Sequence, residues 1–122
     1  MKKNTINSDT LLNLITKHSP DMLWIKDLNG RYLYANNAIC NGLLIATPNE
    51  VLGKTDIFFA LREREKYKDN KNWHTFGELC TNTDLETIKY MKPLRFLENG
   101  NIQGKMTYLE VDKAPFFDEN KN

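Results

Sequence analysis

Residues 24–38, WIKDLNGRYLYANNA, hold the most legible structure in this 122-residue chain. The apolar run Met22, Leu23, Trp24, Ile25 and the aromatic-rich run Arg31, Tyr32, Leu33, Tyr34, Ala35 are both strand-forming. Between them, Asp27-Leu28-Asn29-Gly30 supplies turn residues, with Gly30 free to take a positive φ. The stretch predicts an antiparallel hairpin, with Asp27 bonding the turn backbone and Asn36 capping the helix that follows. In that helix Ile39 pairs with Leu43, and Cys40 with Leu44, at i,i+4 spacing.

Upstream, Ser8 and Asp9 are expected to cap a short helix carrying Leu11, Leu12, Leu14 and Ile15, which Ser19 and Pro20 end. A helix of that length is marginal alone, so it must dock on its own sheet or on a second copy. Downstream, Thr47-Pro48-Asn49-Glu50 has the form of a capping box with Pro at the first helical position, and Gly53 closes the next turn. A helix is expected from Thr55 or Asp56, with Ile57, Phe58 and Leu61 inward and Arg62, Glu63, Arg64, Glu65 and Lys66 on the solvated side. Trp73, Phe76, Leu79 and Cys80 keep helical spacing, and Asp84 is expected to recap the chain before Leu85 and Ile88. A strand over 94–98, a turn at Asn99-Gly100 and a long strand ending at Pro115 complete the order. Helices grouped apart from antiparallel strands make the fold class α+β, an antiparallel sheet with short helices covering one face.

Composition bounds the function. One globular core fits 122 residues with 40% hydrophobic content, and two ordinary domains do not. Lys and Arg number 17 against 16 Asp and Glu, so no broad basic field is available to hold a nucleic acid. No stretch approaches the roughly 20 apolar residues that span a bilayer, and MKKNTINSDT lacks the apolar core of a secretory signal. A cytoplasmic protein with no membrane segment in this chain is expected. Cys40 and Cys80 lie far apart in apolar-periodic segments without CxxC or Cys/His spacing, which predicts reduced, packed thiols and no metal site. Neither histidine has a Ser, Cys or Asp at a motif spacing, and no glycine loop cradles phosphate, so no catalytic residue is assigned and an enzyme is not expected.

Taken in order, these motifs resemble the PAS domain, the sensory module of bacterial histidine kinases and diguanylate cyclases, over about residues 9–120. Asp27, Gly30, Asn36 and Ala38 match its opening D-x-x-G-x-x-x-x-x-N-x-A pattern, and EVLGKTDIFF at 50–59 resembles the next turn into a helix. Thr83-Asp84, Phe96-Leu97-Glu98 and YLEVDKAPFFDEN at 108–120 sit where the family has like residues. The resemblance implies a flanking helix over 1–19 and a PAS core over 20–122. It also implies a sheet of five antiparallel strands in spatial order 2-1-5-4-3, of which four are countable. Relatives leave the long strand through a D-E-x-G turn into the fifth, whereas Lys121 stands at the glycine and Asn122 is last. A C-terminally truncated domain lacking its last, central strand is therefore expected. The edges around residues 23–26 and 107–113 would then close up directly or pair with a second copy.

The resemblance also implies a function: a regulatory input domain that binds a small molecule or partner and modulates its own C-terminal effector, a histidine kinase or GGDEF-type cyclase. A homodimer is implied as well. The alternative is a ligand-free dimerisation or protein-docking module. Around the family's pocket it places Trp24, Tyr34, Ile39, Leu43, Phe58, Phe59, Trp73, Phe76 and Tyr108, a filled core being the competing reading for each. Asp27, Gly30, Asn36 and Gly53 are read as fold residues. Haem is argued against, because Glu86 stands at the ligand position used by one oxygen-sensing group and His74, a dozen residues earlier, reads as a partly exposed residue beside Trp73. Flavin is argued against because the motif GxNCRFLQ is absent and Cys40 belongs to an earlier helix. The identity of any ligand is left open.

Overall fold

The computed structural model describes residues 7–70 and 72–117. Helix α1 (Ser8–His18) is followed by strands β1 (Trp24–Lys26) and β2 (Tyr32–Ala35). Then come α2 (Asn37–Ile39), which runs into a π-helical turn over Cys40–Leu44, α3 (Pro48–Val51), α4 (Asp56–Lys66) and α5 (Phe76–Tyr90), and finally β3 (Leu94–Ile102) and β4 (Lys105–Lys113). The exit-turn residues 118–122 lie outside the described residues.

Local chemistry explains most boundaries. In the first hairpin Asp27 Oδ1 accepts from Asn29 N at 2.8 Å and Arg31 N at 3.0 Å, and Gly30 takes φ +77°. Asn36, 1% exposed, uses its whole amide: Oδ1 accepts from Leu23 N and Ile39 N, and Nδ2 donates to the carbonyls of Thr16 and Asp21. One side chain thus caps α2 and fixes the entry to β1 and the end of α1. The Thr47–Glu50 capping box is formed with Pro48 inside it, and Gly53, φ +79°, donates to Tyr32 O at 2.9 Å. Thr55 caps α4 by accepting from Phe58 N.

Four expectations are corrected. The cap of α1 is Asn7, which accepts from Thr10 N at 2.8 Å, one residue before Ser8. On α4 the buried stripe is Asp56, Phe59, Ala60 and Glu63, whereas Phe58 and Leu61 are exposed. The helix is rotated against that reading: Phe59 and Ala60 take the core face, and Glu63 turns in beside them while Gln103 and Lys66 reach it from the surface. Helix α5 runs unbroken through Thr83 and Asp84, which recap nothing, and Trp73 precedes it. The second hairpin turns at Gln103-Gly104, φ +49° and +79°, the pair of positive angles of a type I′ turn, with Ile102 opposite Lys105.

Asn99 and Gly100 lie within β3, opposite Tyr108 and Thr107. Gly100 serves close approach: a Cβ there would stand 2.5 Å from Thr75 Oγ1 and 3.2 Å from the Phe76 ring. Gly100→Val is expected to destabilise the fold by about 2 kcal/mol through overpacking, and Asn99→Ala by less than about 0.5. Thermal unfolding of both variants checks the placement of the turn.

The strands form two separate antiparallel ladders, β1–β2 and β3–β4, with no bond between them among the described residues. Among the described residues the α+β fold thus carries its strands as two small sheets, and β1 and β4 do not close up directly. The apolar core lies under the ladders and is built from Tyr32, Ala35, Ile39, Cys40, Leu43, Leu44, Val51, Phe59, Phe76 and Cys80. Helix α1 buries no residue. It is held at its end, where Tyr34 Oη donates to Thr16 Oγ1 at 2.7 Å, and Leu11, Leu12, Leu14 and Ile15 are exposed.

Candidate functional site

Between the edges of β1 and β4, which have no strand partner among the described residues, opens a cleft of about 820 Å³. Its walls are residues 22–26 on one side and 112–117 on the other, and its floor is the start of α4 and the face of α5 bearing Thr81, Asp84, Leu85 and Ile88. The lips are apolar and exposed: Leu28, Leu33, Leu85, Met91, Phe116 and Phe117 all line it.

Strand alternation puts charge at the base. On β4 the inward series Leu109, Val111 ends in Lys113, on β3 Phe96 is followed by Glu98, and on β1 Trp24 is followed by Lys26. On α5 Cys80, Thr83, Asp84 and Thr87 share one stripe at helical spacing. Lys26 Nζ donates to Asp56 Oδ2 and, at 2.6 Å, to Asp84 Oδ2. Lys113 Nζ donates to Asp84 Oδ1 at 2.7 Å, to Thr83 Oγ1 at 2.5 Å and to Cys80 O at 3.3 Å, and lies 3.5 Å from Glu98 Oε2. Tyr32 Oη donates to the other oxygen of Asp56. One carboxylate, Asp84, is therefore shared by lysines from the two ladders. Its side chain is 19% exposed, while those of Lys26, Asp56, Lys113 and Glu98 are buried.

The network sets the ionisation of its members. Burial pulls the Lys26 ammonium down, but the charges of Asp56 and Asp84 outweigh it and hold the group above the ordinary lysine range. Burial, reinforced by the Asp56 charge, keeps the Tyr32 phenol protonated well beyond its usual value, and burial raises the Cys80 thiol in the same way. Cys40 and Cys80 are free and buried, and Cys80 is no nucleophile at neutral pH. The arrangement can bind and order charge; every ionised group in it is already paired.

The aromatic and aliphatic residues read from the resemblance are not gathered round one cavity. Trp24, half-buried, lines the cleft. Ile39, Leu43, Phe59 and Phe76 fill the core, and Tyr34 bonds α1. Phe58 is 42% exposed and stands edge-on to Phe59, and Tyr108 is 74% exposed on the outer face of β4. Trp73 stacks on Tyr67, ring centroids 4.1 Å apart. Sequence reasoning passed over Lys26, Tyr32, Asp56, Asp84, Glu98 and Lys113; a charge at the inward step of a strand's alternation was the available signal.

His74 is 2% exposed, a correction to its expected partial exposure. Its neighbour Glu63 is also buried, accepting from Gln103 Nε2 at 3.0 Å and pairing with Lys66 at 2.6 Å. Burial lowers the His74 imidazole below its ordinary 6.5, with the Glu63 charge opposing. The unfolded chain therefore takes up the proton first on acidification. Stability is complete above the unfolded value and declines as pH falls towards the folded one. Urea midpoints are expected to drop from pH 8 to pH 5 and to stay flat over that range in His74→Gln, until the carboxylates titrate.

Among the described residues no cluster of His, Cys, Asp or Glu is arranged to hold a metal, and no helix is long and apolar enough to cross a membrane. The PAS fold family matches residues 16–122. The solved PAS domain of Bordetella pertussis BvgS superposes with a TM-score of 0.52 at 17% identity, covering 93% of this chain and 75% of that one. A comparison with curated proteins found no match.

Proposed function

The chain belongs to the PAS fold family of signal-sensing modules, and on that premise we propose that it is a regulatory input domain that acts by binding, with the cleft as its receiving site. The observation that carries this is the 820 Å³ opening between two unpaired strand edges over a shared, charged floor. A small molecule or an extended partner segment seated against these edges is the signal it receives. The output is an effector domain on the C-terminal side, a histidine kinase or a diguanylate cyclase, working in the cytoplasm.

Backbone amide shifts test this. A ligand or strand peptide entering the cleft moves the amides of β1 and β4 together; shifts confined to the outer face of β3–β4 would overturn the reading.

A second reading, a ligand-free dimerisation or docking element, is favoured by α1, whose Leu11, Leu12, Leu14 and Ile15 are 44–62% exposed. Native mass spectrometry separates the two. A homodimer abolished by Leu12→Glu and Ile15→Glu, in a protein that takes no cleft ligand, supports the second.

A further inference from the structure

We propose that His74 is a proton-operated latch on the tip of the β3–β4 hairpin: as pH falls below neutral the tip comes off the loop that precedes α5, while the rest of the molecule stays folded.

The geometry is that of a clasp. Four hydrogen bonds tie residues 101–104 of the tip to α4 and to the loop ahead of α5. Gly104 N donates to Trp73 O at 2.7 Å, Thr75 N to Asn101 O at 3.0 Å, Asn101 N to Thr75 Oγ1 at 2.8 Å, and Gln103 Nε2 to Glu63 Oε1 at 3.0 Å. Three of the four run through Trp73 and Thr75, the chain neighbours of His74. The tip also lies close on its support, since a Cβ at Gly104 would stand 3.0 Å from the Trp73 ring. His74 is buried at the centre of this clasp. Its imidazole reaches water only if the backbone on either side of it shifts, and that backbone grips the tip. The far end of the hairpin is held separately, by Lys113 on Asp84 of α5 and by Arg95 paired with Asp112, so the tip can open as a local unit.

Charge gives the clasp its sensitivity. An imidazolium carries a proton on both ring nitrogens, and Nδ1 of His74 has no hydrogen-bond partner among the described residues. Protonation in place would bury a charge and an unmatched N–H. The carboxylates facing the ring are already engaged. From α4, Glu63 takes Gln103 and Lys66, and Asp56 takes Lys26 and Tyr32; from α5, Glu78 takes Arg64 at 2.7 Å. Arg64, also on α4, repels the added charge, and the side chain that the hairpin brings to Glu63, Gln103, is neutral. Burial accordingly outweighs the pull of the carboxylates and favours the neutral ring. Once the clasp opens, the ring titrates in water near its ordinary 6.5, so each pH unit below that favours the open form by up to about tenfold.

Amide hydrogen exchange tests this. Between pH 7 and pH 5.5 the protection of the Thr75, Asn101 and Gly104 amides, corrected for intrinsic exchange, is expected to fall about fivefold or more. That of the Tyr32 and Asn36 amides, which donate to Lys54 O and Leu23 O, is expected to fall by less than about twofold. In His74→Gln, with His74→Asn as a second variant, the tip amides should lose this dependence. An equal fall at both sets of amides overturns the inference, because the opening is then global. Constant protection at the tip overturns it, because the ring is then not linked to the clasp. A fall that persists without His74 assigns the proton to another group and overturns it as well. The comparison of the two sets on the unaltered chain stands even where neither variant folds.

Discussion

Asp84→Ala is expected to cost about 4 kcal/mol of stability, a large share of the roughly 5–15 kcal/mol that holds a domain of this size. The reason is asymmetry. Removing the shared carboxylate does not remove the charges it served, since Lys26 and Lys113 keep buried side chains and lose the group that matched them across the two ladders. Asp56 still faces Lys26 and Glu98 still faces Lys113, so the loss stays below that of two wholly orphaned ammonium groups. Asp112→Ala provides the internal contrast. Its pair with Arg95 has good geometry, 2.9 and 3.1 Å, but both side chains are mostly exposed and screened by water, so its loss is expected to shift the midpoint far less than that of Asp84. Urea unfolding at pH 7 measures both; equal midpoints for the two variants would show that the network carries no special share of the stability.

The second large effect is Phe59→Ala, expected to destabilise by about 4 kcal/mol. Phe59 is fully buried, meets Phe58 edge-on at 5.1 Å between centroids, and has the Arg62 guanidinium 5.2 Å from its ring centre. Truncation leaves a cavity between α4 and the rest of the core and strips the stem of Arg62 of its packing surface. Phe58→Ala, one residue away and partly in water, should cost about 1 kcal/mol. A fall in denaturation midpoint several times larger for Phe59 than for Phe58 checks which ring α4 points inward.

That pair also shows what a sequence of this kind discloses. Local chemistry was readable: the Asp27–Gly30 turn, the Asn36 cap, the capping box at Thr47 and the start of α4 at Thr55 each depend on a few neighbouring residues, and each is present. What depended on distant partners was not. The phase of α4 is set by what packs against it, with Phe59 and Ala60 in the core and Glu63 beside them reached by Gln103 from across the fold, so an apolar pattern alone turned the helix the wrong way. Asn99-Gly100 has the composition of a hairpin turn, but Gly100 is required by Thr75 and Phe76 pressing on β3 from another element, and Gln103-Gly104 makes the bend.

The charged floor was illegible for the same reason. Its members come from β1, β2, α4, α5, β3 and β4, and no two of the opposite charges that meet there are near in sequence. Charged residues on a helix or at a strand end read as solvated unless the inward step of the alternation is counted through them, which would have marked Lys26, Glu98 and Lys113. The aromatic residues read from the family resemblance were visible because they are large. Phe59 and Phe76 close the core, Tyr34, Phe58, Trp73 and Tyr108 stand elsewhere, and the cleft took only Trp24.

The two ladders share no backbone hydrogen bond among the described residues, yet both end on one carboxylate of α5. Side chains, and not a seam of ladder bonds, therefore join the two hairpins: Asp84 is backed by Asp56 on Lys26 and by Thr83, Cys80 and Glu98 on Lys113, while Thr75 ties β3 through Asn101. A displacement of α5 is felt by both hairpins through these shared contacts.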